Sequence, residues 1–85
     1  MELKKQNDFG KSKCACCGYF TISEIAETCA VCYWEENIYQ EENTDDSDAP
    51  NYVSLEEAKI NFIKYGAKKP ELIDRTRKPY PEEIE

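Results

Sequence analysis

Histidine is missing from this chain, and with it go the commonest general base, metal sites of two cysteines and two histidines, and the usual histidine-held catalytic zinc. No apolar run approaches the ~18 residues that a membrane-spanning helix needs. The first thirteen residues carry Lys4, Lys5, Asn7, Asp8 and Lys11 where a secretory signal would have an apolar core. The chain therefore reads as cytoplasmic, with no membrane partner. In that compartment thiols stay reduced, and clustered cysteines hold metal more often than they pair. A basic surplus is lacking too: 11 Lys and Arg face 18 Asp and Glu, for a net charge of −7. Phosphate contacts need a basic surface, so nucleic acid is not the expected main partner. Length is the last shortage. A chain of 85 residues buries about 60–65% of its unfolded surface, while ordering it costs about 1.5 kcal/mol per residue. Hydrophobic burial alone leaves its stability near zero, and something must staple it.

Cysteine is what the chain has. Its five cysteines fall as Cys14, Cys16, Cys17, Cys29 and Cys32, an odd number that suits a disulfide framework badly. Cys14 and Cys17 form one C-x2-C, eleven residues intervene, and Cys29 and Cys32 form a second. Four thiolates at ~2.3 Å around a tetrahedral zinc lie within about 4 Å of one another, and a two-residue gap lets one tight turn aim two sulfurs at a point. Gly18, directly after Cys17, supplies the positive φ that such a turn wants. Tyr19-Phe20-Thr21-Ile22 is rich in strand formers, and eleven residues suffice for a short hairpin that leaves one half-site and returns to the other. The expectation is a structural zinc ion held by Cys14, Cys17, Cys29 and Cys32, with four sulfurs closing the coordination sphere to water. Cys16 then points away from the metal as a small apolar filler or partly exposed thiol, and no histidine exists to activate it as a nucleophile. A thioredoxin-like dithiol would need its C-x-x-C to open a helix within a βαβ unit. No such unit surrounds either pair, and the chain does not read as an enzyme.

Downstream, Tyr33-Trp34-Glu35-Glu36-Asn37-Ile38-Tyr39-Gln40 reads as a third strand or a short turn over the metal, its aromatic area mostly core. An exposed Trp34 or Tyr39 anchoring a partner is the functional alternative. The acids Glu41, Glu42, Asp45, Asp46 and Asp48 have loop composition around them. Calcium fits poorly: with Asp46, Asp48 and Glu57 at EF-hand positions one, three and twelve, Pro50 falls on position five and Asn51 replaces the required glycine. Ser54 and Glu57 form a capping box, a helix over 55–65 follows, and Gly66 sits where a glycine stop belongs. Leu55, Ala58, Phe62 and Tyr65 make one stripe to pack on the hairpin. Ile60 and Ile63 lie on another flank, which the tail residues Leu72 and Ile73 are expected to cover, with a partner surface as the alternative. Lys68-Lys69-Pro70, Pro79 and Pro81 mark an extended, irregular C-terminal segment.

The expected architecture is a small α+β fold: zinc-ribbon-like β-hairpins with a four-cysteine zinc site and one packed α-helix. A basic arm spans 1–13, the zinc-ribbon-like domain 14–66 includes helix 55–65, and the tail over 67–85 packs on the domain. Charge is segregated, since residues 35–57 hold nine acids and no base. Four thiolates and a divalent ion would take the net charge from −7 to about −9. An acidic surface steers a basic protein partner, with Glu41, Glu42, Asp45, Asp46, Asp48 and Trp34 as the contact candidates. A charge run kept for solubility is an equal alternative. The second function class is a nucleic-acid-associated zinc ribbon, or a regulatory accessory protein, using the basic stretch from Lys59 to Lys78.

Several separated motifs carry a resemblance. Cys14-Ala15-Cys16-Cys17-Gly18-Tyr19, Cys29-Ala30-Val31-Cys32-Tyr33-Trp34-Glu35-Glu36 with Gln40, then Asn51, Val53-Ser54-Leu55, Ala58, Asn61-Phe62 and Tyr65-Gly66 resemble the bacterial cysteine-rich CPCC family. Coverage runs from about Cys14 to Gly66, and residues 79–83 resemble its C-terminal proline and acid motif. Members usually carry proline at the positions of Ala15 and Ala30. Proline there preorganises the turn, so its absence implies retained ligation with lower metal affinity. The resemblance implies a zinc-binding domain and an association with toxin and immunity loci. Taken with the acidic segment, it gives the expected function: a non-enzymatic zinc-binding interaction module, in its most specific form an acidic immunity-type inhibitor of a basic toxin.

Overall fold

The computed structural model describes residues 6–84; Lys4 and Lys5 of the expected basic arm, and Glu85 of the tail, lie outside the described residues. The chain is built around two turns. Strand β1 (Ser12–Lys13) and strand β2 (Phe20–Ile22) pair antiparallel, Ser12 opposite Ile22 and Lys13 opposite Phe20, with a bulge between the two pairs. Between them lies the first C-x2-C. A single antiparallel bridge, Thr28 to Glu35, brackets the second. The ladders thus flank each cysteine pair, where the eleven-residue spacer was expected to supply the hairpin itself. The reason is local: each C-x2-C already reverses the chain, so pairing forms immediately on either side of it. The spacer makes its own bend, in which Glu27 Oε1 accepts from the Ser23 N–H, the Ser23 hydroxyl and the Glu24 N–H.

Helix α1 (Ile38–Glu42) replaces the strand or turn expected over 33–40. Its start is fixed by Asn37, whose Oδ1 accepts from the Gln40 N–H at 3.0 Å, an N-cap with Gln three residues on that the sequence displays. Helix α2 (Leu55–Tyr65) has the expected bounds. The Glu57 N–H donates to Ser54 Oγ at 3.1 Å, and Gly66 closes the helix at φ 82°. The tail is less extended than expected: it holds a 3₁₀ helix over Pro70–Arg75 and a short α3 (Pro81–Ile84). Pro70 and Pro81 open these pieces, where a missing N–H costs nothing, so a reading of proline as breaker misses them. Three α-helices among the described residues therefore stand where one was expected. None is long and apolar enough to cross a membrane.

The core gathers Cys14, Cys16, Cys29 and Cys32 with Ile22, Val31, Trp34, Val53, Leu55 and Ala58. Tyr19 and Phe62 close its edge with their rings edge-on at 6.3 Å. Tyr65, expected on the packed stripe, is exposed. Ile60 and Ile63 remain 54% and 83% exposed, so Leu72 and Ile73 do not cover that flank. The observed fold is a small α+β unit with a two-stranded hairpin and a cysteine cluster inside its core.

Candidate metal centre

The two cysteine turns are built to one plan. In the first, the Gly18 N–H donates to the Cys14 carbonyl at 2.9 Å and the Cys14 N–H to the Tyr19 carbonyl at 2.8 Å. In the second, the Tyr33 N–H donates to the Cys29 carbonyl and the Cys29 N–H to the Trp34 carbonyl, both at 2.8 Å. The residue after each second cysteine has a left-handed backbone, Gly18 at φ 82° and Tyr33 at φ 71°. Glycine adopts this freely, whereas a side chain there costs about 1 kcal/mol.

These turns aim four sulfurs at one point. The Sγ atoms of Cys14, Cys17, Cys29 and Cys32 all lie within 4.8 Å of one another. Cys14 approaches Cys32 at 3.5 Å and Cys17 approaches Cys29 at 3.8 Å, so each close pair joins the two turns. These are contacts between free thiols, since a disulfide would bring two sulfurs to about 2.05 Å. A tetrahedron with ~2.3 Å metal–sulfur bonds has edges near 3.8 Å, so the four residues fit a divalent ion of zinc's size. Cys14, Cys29 and Cys32 are buried and Cys17 is half-buried.

The surroundings favour negative sulfur at Cys29 and oppose it at the other three positions. Hydrogen bonds from the thiols of Cys14, Cys17 and Cys32 hold Cys29 far below the ordinary thiol range, and the Thr21 hydroxyl, donating at 3.0 Å, adds to this. The Val31 N–H donates to the same sulfur at 3.3 Å. Cys32 is pushed far above the ordinary range by its contacts within the cluster, that with Cys14 foremost, and by burial. Cys14 is raised too, first by its contact with Cys17. Burial and mutual contact thus oppose ionising the four thiols together, and a divalent cation among them offsets that charge.

The other expected contact residues divide. Trp34 is fully buried, and its Nε1 donates to Glu41 Oε2 at 3.0 Å, the oxygen that also accepts from the Asn37 N–H. Trp34 is therefore core, not a surface anchor, because so small a domain has few other large rings to bury. Glu41 is committed to that indole and to the start of α1. Asp46 is half-buried, and its Oδ2 is buried with no hydrogen-bond partner. Glu42, Asp45 and Asp48 are exposed. Cys16 is buried in the core. Within 59–78, Lys68 is buried and Arg77 grips Glu83 through two bonds of 2.9 and 2.8 Å while stacking on Tyr80. That stretch loses two of its seven cations as a phosphate-binding surface.

Sequence reasoning missed a buried polar network beside the sulfurs. Gln40 Nε2 donates to the carbonyls of Asp46, Asp48 and Val53 at 3.0, 3.0 and 3.2 Å. Its Oε1 accepts from the N–H and the side-chain amide of Asn51. Asn51 also exchanges bonds with the Glu35 backbone and accepts from Lys68 Nζ at 2.7 Å. The Lys68 N–H reaches the Cys32 carbonyl at 2.8 Å. Burial, then the charge of Lys69, pushes the Lys68 ammonium below its ordinary range. Nothing in the sequence marked Gln40 and Asn51 as buried partners, since a polar residue in an acidic stretch reads as solvated. The tail closes the second turn from outside, with the Arg77 N–H donating to the Ala30 carbonyl at 3.2 Å.

Comparison with known proteins agrees with this arrangement: the family model described as Cysteine-rich CPCC matches residues 12–83, and the chain belongs to that family. No curated protein and no solved structure matches it.

Proposed function

We propose that this member of the cysteine-rich CPCC family is a non-enzymatic, zinc-ribbon-like protein held together by one structural zinc ion and used as a protein-interaction module. The observation that carries the metal reading is the convergence of four sulfurs from two like turns into a single cluster. Zinc, when bound, supplies four metal–sulfur bonds across the two turns and takes up the charge of the thiolates. The chain does the rest. Thr21 and Val31 donate to the Cys29 sulfur and fix its direction, much as outer partners orient metal ligands elsewhere. Burial of Cys14, Cys29 and Cys32 keeps water from competing. Four protein ligands leave no position for a substrate, which supports a structural role.

The interaction reading rests on Glu42 at the end of α1 and on Asp45 and Asp48 in the segment that leads to α2, all three exposed. Their proposed partner is a basic protein surface, and a basic toxin is the partner class in the most specific form of this reading. Two measurements test it. Native mass spectrometry should find one zinc per chain, and chelator should unfold the protein. A partner captured from the producing cell should bind more weakly as salt rises, and a Glu42→Gln, Asp45→Asn, Asp48→Asn variant should lose it; capture that ignores both would remove the acidic face from the mechanism.

A further inference from the structure

Two charged side chains are buried in the described part of this protein, and they are served very differently. Glu83, 6% exposed, is held by both arms of the Arg77 guanidinium. Lys68, 7% exposed, has no carboxylate within ion-pair distance among the described residues, and its ammonium donates to Asn51 Oδ1, the oxygen of a neutral amide. That oxygen is already shared with the Glu35 N–H. Taking an ammonium out of water costs several kcal/mol unless an anion compensates it, and one amide oxygen is poor compensation.

The backbone leads from Lys68 to the sulfur cluster. Lys68 N–H is bonded to the carbonyl of Cys32, so the residue lies directly against the second cysteine turn. Burial, then Lys69, opposes its ammonium, while Glu35 and Cys32 favour it. Four thiolates around one divalent ion carry a net −2, and the turn that presents two of them is the one Lys68 touches.

We propose that Lys68 is the built-in countercharge of the metal centre: a fixed, buried ammonium, anchored by Asn51, that raises metal affinity by offsetting the negative charge of the four sulfurs. This rests on the metal reading above. It makes Lys68 a positioning residue with an electrostatic duty beyond its place in the Gln40–Asn51 network. It also explains why a lysine, the residue least suited to the interior, occupies this position in a chain with little core to spare.

The test is a competition titration with cobalt(II) and zinc(II) against a chromophoric chelator. The purified full chain is compared with Lys68→Met, Lys68→Arg and Glu35→Gln. K68M should weaken metal binding about 10- to 100-fold. K68R should stay within about threefold, since the charge is kept. E35Q should bind as tightly as the unaltered chain or more so. The sharpest arm repeats K68M in a Cys17→His background, where a neutral imidazole lowers the centre's charge from −2 to −1. Because the Coulomb term scales with charge, the K68M loss should shrink there to about 3- to 10-fold. A loss of equal size in both backgrounds makes Lys68 merely structural and overturns the proposal. So does a K68M chain that binds as tightly as the original, the result expected where an isolated buried charge is simply replaced by an apolar side chain. An E35Q loss matching that of K68M would make Lys68 the partner of Glu35 and not of the sulfurs, and overturns the proposal. If K68M does not fold with metal in excess, Lys68→Gln, which loses the charge but keeps a donor for Asn51, carries the same comparison. A starting protein that takes up neither metal overturns the centre itself, and the countercharge with it.

Discussion

The two cysteine turns have the same spacing and the same backbone bonds, yet they are supported in different ways. The first has glycine at its left-handed position and paired strands on both sides, so its shape follows from nearby residues. The second puts Tyr33 in that conformation and is flanked by one bridge. It is held instead by distant residues, Lys68 on the Cys32 carbonyl and Arg77 on the Ala30 carbonyl, with Trp34 buried directly beside it. A tight turn can thus be specified by its own sequence or imposed by packing, and the two half-sites of this chain use one of each. The imposed turn is the more buried, so damage there should be felt by the whole fold.

The largest expected contrast is between ligands. Cys29 accepts bonds from Thr21 and Val31 and is fully buried, whereas Cys17 is half-buried. Cys29→Ser should abolish metal binding and leave an unfolded chain by circular dichroism, while Cys17→Ser should retain weak metal binding and a metal-dependent fold. Equal damage from both would erase the asymmetry. Next comes the backbone. Gly18→Ala should destabilise by about 1 kcal/mol, the cost of a side chain at positive φ. Tyr33→Gly should stay within about 0.5 kcal/mol of the starting stability, because relief of the same strain offsets lost ring packing and added unfolded-state entropy. Denaturation midpoints of the zinc-loaded proteins measure both.

This asymmetry also explains what could be read in advance. The first turn, α2 with Ser54 and Gly66, and the four-cysteine pattern were legible because their causes lie within a few residues of one another. Helix α1 was written locally as Asn37 with Gln40 three on, but strand-forming aromatics upstream outweighed it. The second turn's clamps were not legible, because no local rule says that Lys68 and Arg77, read as a basic stretch, turn inward to Asn51 and Glu83. Trp34 was read correctly as core in composition and wrongly offered as a contact, since burial of one ring depends on residues such as Glu41 that meet it only in the fold.

A smaller effect probes the outer clamp. Arg77, foremost through its hydrogen bonds, holds the Glu83 carboxyl below its ordinary 4.5. A carboxylate lowered on folding stabilises fully above that ordinary value, and this contribution is lost as pH falls through the lower folded value. The tail should therefore release from the second turn as the solution is acidified below about 4.5, reported by a fall in the amide protection factors, taken against the intrinsic rate at each pH, of Arg77 and Tyr80. Glu83→Gln should remove this pH step and cost roughly 1 kcal/mol at neutral pH. A step that survives in E83Q would mean that another group gates the tail.

The smallest effect concerns Ala15 and Ala30, which occupy like positions after the first cysteine of each turn. Among the described residues neither backbone N–H donates a hydrogen bond, so proline removes no bond at either place. Its fixed φ suits the first corner of a tight turn, and it should stabilise by about 0.4–1 kcal/mol through the unfolded chain. The two sites differ in what already restrains them. Ala15 lies in the turn shaped by its own neighbours, while Ala30 is pinned through its carbonyl by Arg77. That pin acts only in the folded state, so Ala30→Pro should gain as much as Ala15→Pro in equilibrium stability. It should differ in kinetics: a proline that shapes the second turn before packing arrives should speed refolding of the zinc-loaded chain, where Ala15→Pro leaves the rate nearly unchanged. Stopped-flow refolding that shows equal acceleration from both would mean that the second turn forms as independently as the first.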